Sequence, residues 1–183
     1  MYNLNTLTRK TASFIFLIFA IYGCGNHKEK SVKNIHVSAT KGKEWNVFGV
    51  KIIGKILSED TNGKYSVIIT ETPPNGGPPL HIHTHEDELF YVLKGNYEFF
   101  YGDKKILAKK GDFIQLPKGI PHRFINKDSI TGITMNTITP GGFENFFDDI
   151  AEFSKTQTLS KQKIDAIAGK YGIEFLKNDG KEN

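Results

Sequence analysis

From Trp45 to Leu176 the apolar residues come in short runs, some alternating with polar residues and some continuous, and Gly, Pro, Asn or Asp interrupts each run. "WNVFGVKIIGKIL" and "KYSVIITET" flank Thr61-Asn62-Gly63, a turn sequence that predicts a hairpin. The next stretch, "PPNGGPPL", holds four prolines and two glycines and can only be a loop. "ELFYVLKG", "NYEFFYGDKKILAKKGD", "FIQLPKG", "PHRFINK" and "SITGITMNTIT" follow, and strands this short at this spacing predict an all-β sandwich or barrel. Past Pro140-Gly141-Gly142 the period changes. Phe143, Phe146, Phe147, Ile150 and Phe153 fall at helical spacing, as do Ile164, Ile167 and Tyr171. Ser160 is placed to cap the second helix and Gly172 to stop it, and both stripes read as faces packed on the barrel. "KNDGKEN" reads as a frayed tail.

A chain of 183 residues suits one full-sized domain, and its 14 Phe and 7 Tyr favour β-structure over a helical bundle. Ahead of the strands, Arg9 and Lys10 precede an apolar run from Phe14 to Ile21, then Gly23 and the single cysteine, Cys24. A membrane-crossing helix needs about 20 apolar residues, so this shorter run is expected to be a secretory signal over 1–23. The ending "IYGC" resembles the lipobox of bacterial lipoproteins, which implies a lipid on Cys24 as the first mature residue. An uncleaved anchor, or a signal followed by a free thiol, is the alternative. The expected layout is a polar tether over 24–40, a barrel over 41–142, and a helical extension with tail over 143–183. It implies a cell-envelope protein, lipid-anchored to a membrane and facing the periplasm or the cell exterior. Without Arg9 and Lys10, 22 basic residues face 20 acidic ones, an excess too small and dispersed for nucleic acid. His27 and His36 stand in the tether without ligand residues nearby and read as solvated.

The chemistry gathers in "PPLHIHTHEDELFYVLKG", which holds three of the six histidines. On a strand, residues two apart share a face, so His81 and His83 point the same way. "THED" then allows a turn that returns Glu88 to them. His83 and His85 as the pair would leave only two residues before Glu88, so His85, Glu86 and Asp87 are expected at the mouth or in solvent. "GDFIQLPKGIPHRFIN" supplies a further imidazole: a Pro-Lys-Gly turn delivers His122 to the start of the next strand.

Together the two segments resemble the paired motifs of the cupin superfamily. His81, His83, Glu88 and Gly95 match the first motif; Gly111, Pro117, Gly119, His122 and Asn126 match the second. The first motif's leading glycine is replaced by Asn75, with Gly76 and Gly77 behind it. The hairpin ahead of the motifs, "PGGFENFF" and "YGIEFL" extend the similarity, over about residues 45 to 176, to single-domain bacterial cupins described as quercetin dioxygenase-like. The resemblance implies a jelly-roll barrel, also called a double-stranded β-helix, with C-terminal helices and one divalent metal ion, which could be Fe, Mn, Ni, Cu, Co or Zn. Its ligands would be His81, His83, Glu88 and His122.

Three neutral imidazoles and one carboxylate around a divalent ion leave a net charge of about +1, suited to an anionic oxygen such as an enolate. A redox-active ion there implies an oxygenase, with Glu88 able to shuttle a proton. Strand parity places Phe90 and Val92, and Phe124 and Asn126, on the inner face, as substrate-pocket candidates or as barrel filling. Lys118 and Arg123 could attract an acidic substrate or be ordinary turn residues. The expected function is a metal-dependent dioxygenase acting on a small oxygen-rich or aromatic compound. A non-catalytic metal-dependent binder and a non-oxidative isomerase or lyase are the alternatives, and a homodimer is allowed.

Overall fold

A computed structural model describes residues 34–156 and 158–177. The expected signal segment, Cys24, His27, part of the tether and the end of the tail lie outside the described residues.

Ten strands run in order from the start of the domain: β1 (Lys43–Val47), β2 (Val50–Ile56), β3 (Ser66–Thr72), β4 (His81–His83), β5 (Asp87–Lys94), β6 (Asn96–Tyr101), β7 (Lys104–Lys109), β8 (Phe113–Leu116), β9 (His122–Asn126) and β10 (Gly132–Thr139). Two helices follow, α1 (Glu144–Thr156) and α2 (Lys161–Lys170), and then β11 (Ile173–Phe175). One sheet has the order β1-β2-β3-β10-β5-β8 and the other β11-β4-β9-β6-β7. Every pairing is antiparallel. The two sheets make the expected jelly-roll barrel.

The alternation seen along the sequence is the reason these segments pack as they do. In β3 and β9 every second residue is buried, so one face of each strand leaves water and the other keeps contact with it. Phe90, Phe99, Leu116 and Phe124 fill one half of the barrel with Val92 and Tyr97. The other half is closed by Trp45, Ile52 and Ile138 packed against Phe143, Phe146, Phe147 and Ile150. The helical Phe stripe is therefore a packing face, and burying each such ring contributes about 1.5–3 kcal/mol. Ser160 caps α2, its side chain accepting from Lys163 N at 3.2 Å. Trp45 Nε1 donates to Asp148 Oδ1 at 2.9 Å and fastens α1 to β1.

Two features depart from the sequence reading. "WNVFGVKIIGKIL" is not one run: it folds back at Phe48-Gly49, with Val47 paired to Val50. Gly49 is a turn residue, but phenylalanine before it is not the Asn, Asp or Gly that marks a two-residue hairpin turn, so the reversal was not read from the pattern. Beyond the helices, "IEF" forms β11, which pairs with β4. The C-terminal segment thus supplies the edge strand beside the strand that carries His81 and His83.

The glycine missing from the first motif has a conformational substitute. Asn75 takes φ 57°, a left-handed conformation that Asn tolerates better than most residues. Its N–H donates to Asn126 O at 2.8 Å, and Asn126 N donates to Gly76 O at 3.0 Å. At Gly77 the backbone passes so near Phe124 O that a Cβ would collide with it. The loop is thereby fixed against β9, just before β4 begins.

Candidate metal centre and cavity

His81 and His83 stand two apart on β4 and both point inward, 7% and 1% exposed. Glu88 is the second residue of β5 and His122 the first of β9, where it pairs directly with His81. One ligand atom from each of the four residues lies within 4.8 Å of the others. Glu88 Oε2 is 3.2 Å from His122 Nε2 and 3.8 Å from His83 Nε2.

The outward ring nitrogens decide what the inward ones can do. His81 Nδ1–H donates to Pro79 O at 2.8 Å, and His122 Nδ1–H donates to Ile120 O at 2.8 Å. A carbonyl can only accept, so the proton of each neutral ring sits on Nδ1, and Nε2 keeps a lone pair. His83 Nδ1 lies 3.4 Å from Glu86 Oε2, the same arrangement with a carboxylate outside. Carboxylates and carbonyls behind ligand histidines set their tautomer and raise their basicity in metal sites.

Burial, followed by the charge of His83 and His122, pushes His81 down to about 3. Burial also opposes charge on His83, but Glu88 and Glu86 prevail and hold it above the ordinary imidazole value. Glu88 is pulled down to about 2: burial works against its ionisation, while His83 and His122 outweigh it. A buried ionised carboxylate among three imidazoles, whose Nε2 atoms are free to bind once deprotonated, fits a divalent transition ion by its donor types. His81, His83, Glu88 and His122 are the residues that could hold it.

The cluster faces a cavity that opens to solvent. Its wall is largely apolar: Phe48 from the β1–β2 turn, Phe90 and Phe124 from the barrel, Phe143, Phe146 and Phe147 from the first turn of α1 and the residue before it, and Phe175 from β11, with Val and Ile side chains of β1, β2, β3 and β11 between them. Phe143 lies edge-on to His83 with ring centroids 4.5 Å apart. Polar lining comes from His81, His83 and Glu88, with Thr70 and Asn136 apart from them. No Lys or Arg lines it.

A family model for the cupin domain matches residues 68–132, the span that holds all four of these residues. Residues 68–132 of this chain form a cupin domain. Among curated relatives of this cupin, quercetin 2,3-dioxygenase of Bacillus subtilis (strain 168) is 28% identical over 94 residues, covering 51% of this chain and 28% of that protein. Acireductone dioxygenase of Xenopus tropicalis is 38% identical over 81 residues, covering 37% of this chain and 45% of that one. The chain thus spans less than half the length of either relative. Among solved structures, a Thermotoga maritima protein described as a predicted oxalate decarboxylase superposes with TM-score 0.53 at 22% identity, over 58% of this chain and 99% of that one. KdgF from Halomonas sp. gives TM-score 0.54 at 14% identity, over 60% of this chain and 96% of that one. At such identities the superpositions speak for the fold alone.

Of the four pocket candidates in this cupin, Phe90 and Phe124 line the cavity; Val92 and Asn126 do not. Parity put all four on the inner face but said nothing of depth along the barrel. Val92 is packed out of reach among Tyr97, Phe99 and Leu116. Asn126 is a strut: Nδ2 donates to Thr72 O and Ile130 O at 2.9 and 2.8 Å, and Oδ1 accepts from Asp128 N at 3.0 Å. Around the metal motif, His85 is exposed as expected, and half-buried Asp87 accepts from Lys118 N at 2.9 Å. Glu86 is a correction. It is 7% exposed, turned in behind His83 instead of out to solvent, because the tight loop between β4 and β5 leaves its side chain facing Nδ1. Arg123 stacks over Phe100 at 4.5 Å, and neither it nor Lys118 reaches the cavity. Thr70 and Asn136 were missed because nothing in their surrounding strands distinguishes them from ordinary residues of a buried face.

Proposed function

We propose that this cupin is a metal-dependent dioxygenase of the quercetin dioxygenase-like type, acting on a small compound with an apolar, aromatic body and one oxygen-bearing end. The cavity wall carries this reading: seven phenylalanines line the space in front of the His/Glu cluster, and no Lys or Arg does. Burying a ring there is favourable, whereas a second anionic group would find no partner. A divalent ion held by the cluster would supply Lewis acidity toward the substrate oxygen and, if redox-active, a path for an electron to dioxygen. Glu88 is the one carboxylate in the lining, and a hydroxyl arriving beside it can donate its proton to Oε2. Phe143 keeps water from the His83 side. Thr70 and Asn136 offer neutral hydrogen bonds to the substrate body. An isomerase or lyase would call for a second acid or base across the substrate, and neither Thr70 nor Asn136 titrates near neutral pH. The similarity to two dioxygenases points the same way.

The test uses the full chain loaded in turn with Fe(II), Mn(II), Ni(II) and Cu(II), with oxygen uptake followed across flavonols, diketones and catechols. Uptake that a chelator stops is the expected result. Ligands that raise the melting temperature of the metal-loaded protein without consuming oxygen would make it a binder, and substrate conversion without oxygen an isomerase or lyase.

A further inference from the structure

The turn between β1 and β2 has two residues, and both take positive φ: 52° at Phe48 and 79° at Gly49. This is the type I′ pattern, whose first central position favours Asn, Asp or Gly. A bulky side chain crowds the backbone there. Phe48 recovers little of that cost by burial, since it remains 43% exposed. Its ring meets Phe175 edge-on at 6.0 Å, and it lines the cavity. A residue both exposed and in the lining stands where the cavity opens to solvent. Leu107 on β7, Phe113 on β8 and Ile130 are more exposed than Phe48, and none of them is in the lining. Strain without a folding return, at the entrance to a candidate site, points to a role toward what enters.

We infer that Phe48 is a specificity-determining residue, held by the β1–β2 turn so that its ring and that of Phe175 pack on the flat apolar body of a ligand whose oxygen end faces the His/Glu cluster. The inference rests on the apolar-substrate reading proposed above. With no Lys or Arg in the lining, ring contact at the opening is the grip that an apolar far end of such a ligand can find there. Covering Phe48 would also remove its exposed apolar surface from water, giving ligand binding the return that folding does not.

The experiment compares the full chain with Phe48→Asn, Phe48→Gly and Phe48→Tyr, each loaded with redox-silent Zn(II). The probes are 3-hydroxyflavone, a chelating oxygen pair on a flat apolar body, and acetohydroxamate, a chelator without that body. Phe48→Asn and Phe48→Gly should weaken 3-hydroxyflavone by about tenfold, and Phe48→Tyr should keep its affinity. Acetohydroxamate should bind all four alike. The Asn and Gly variants should also melt about 2 to 4 °C higher, because the turn is relieved. Unchanged 3-hydroxyflavone affinity in Phe48→Asn overturns the assignment. Equal weakening of acetohydroxamate overturns it as well, since Phe48 would then act on the cluster. A lower melting temperature in Phe48→Asn does the same by giving Phe48 a folding role. If the unsubstituted chain binds acetohydroxamate but not 3-hydroxyflavone, the apolar-substrate reading itself fails.

Discussion

His81 and His122 each commit one ring nitrogen to a carbonyl two residues earlier in the chain, Pro79 O and Ile120 O. Both carbonyls belong to the turns that lead into β4 and β9, so the local backbone that aims each ring also chooses its tautomer. Replacing His81, His83, Glu88 or His122 by Ala should sharply lower metal content measured on the purified chain, because three protein groups hold a divalent ion less firmly than four. The circular dichroism of these variants should stay that of a β-barrel, since apolar burial supplies most of its stability. His85→Ala should keep near-stoichiometric metal, its side chain being exposed; loss of metal there, with retention in His81→Ala, would sink the ligand set. Glu86→Gln tests the group behind His83. Its geometry is close to native but the carboxylate charge is gone, so metal affinity should fall by about 10–100-fold in a competition titration while the metal-free protein melts nearly as before. His81, His83 and Glu88 were legible in the sequence because strand parity and turn length are local properties, and His122 joined them through the resemblance to the paired cupin motifs. Glu86 was not, because its direction depends on where the ring of His83 stands.

At the scale of elements, α1 is tied to the barrel at its first residue. Glu144 is buried at 3% exposure and accepts three hydrogen bonds, from Ser58 N at 2.6 Å, Ser66 Oγ at 2.7 Å and Gly142 N at 3.0 Å. Burial opposes its ionisation, but the Ser58 and Ser66 bonds prevail and hold it below the ordinary carboxylate value of 4.5. A depressed folded-state value means that the stabilisation is complete above the unfolded value and is lost as pH falls through the folded one. Melting temperature followed from pH 7 downward should therefore show a larger loss below about 4.5 in the native chain than in Glu144→Gln. At pH 7 the variant should be about 1–3 kcal/mol less stable, because a donor NH₂ replaces one acceptor in a buried site. Equal pH profiles for the two proteins would show that the carboxylate is not what fastens α1. The Phe stripe announced this helix, and Ser160 announced the next. Glu144 carried no signal, since an acidic residue in a first helical turn is ordinary, and two of its three partners lie 78 and 86 residues away.

Among the described residues, the two sheets and the C-terminal segment enclose the cavity, and the Phe stripe of α1 both closes the core and walls that cavity. We propose in addition that Cys24 carries lipid and holds the domain at a membrane of the cell envelope, on the strength of "IYGC" behind a short apolar run. The chain should then travel with the membrane fraction, and mass spectrometry of the mature protein should find Cys24 acylated; an unmodified Cys24 there would end that proposal. By itself the sequence determined the all-β class and the C-terminal helices through periodicity, and the common facing of His81, His83 and Glu88 through short-range spacing; the jelly-roll and the joining of His122 to the other three came from the resemblance of its two motifs to the cupin superfamily. The tertiary structure alone decided the pairing of β11 with β4, the turn at Phe48, and which inward residues reach the cavity: Phe90 and Phe124, but not Val92 or Asn126. Alternation along a strand says which face a side chain takes. How deep in the barrel it lies, and what a strand from the far end of the chain places opposite, are fixed only when the sheets close on each other.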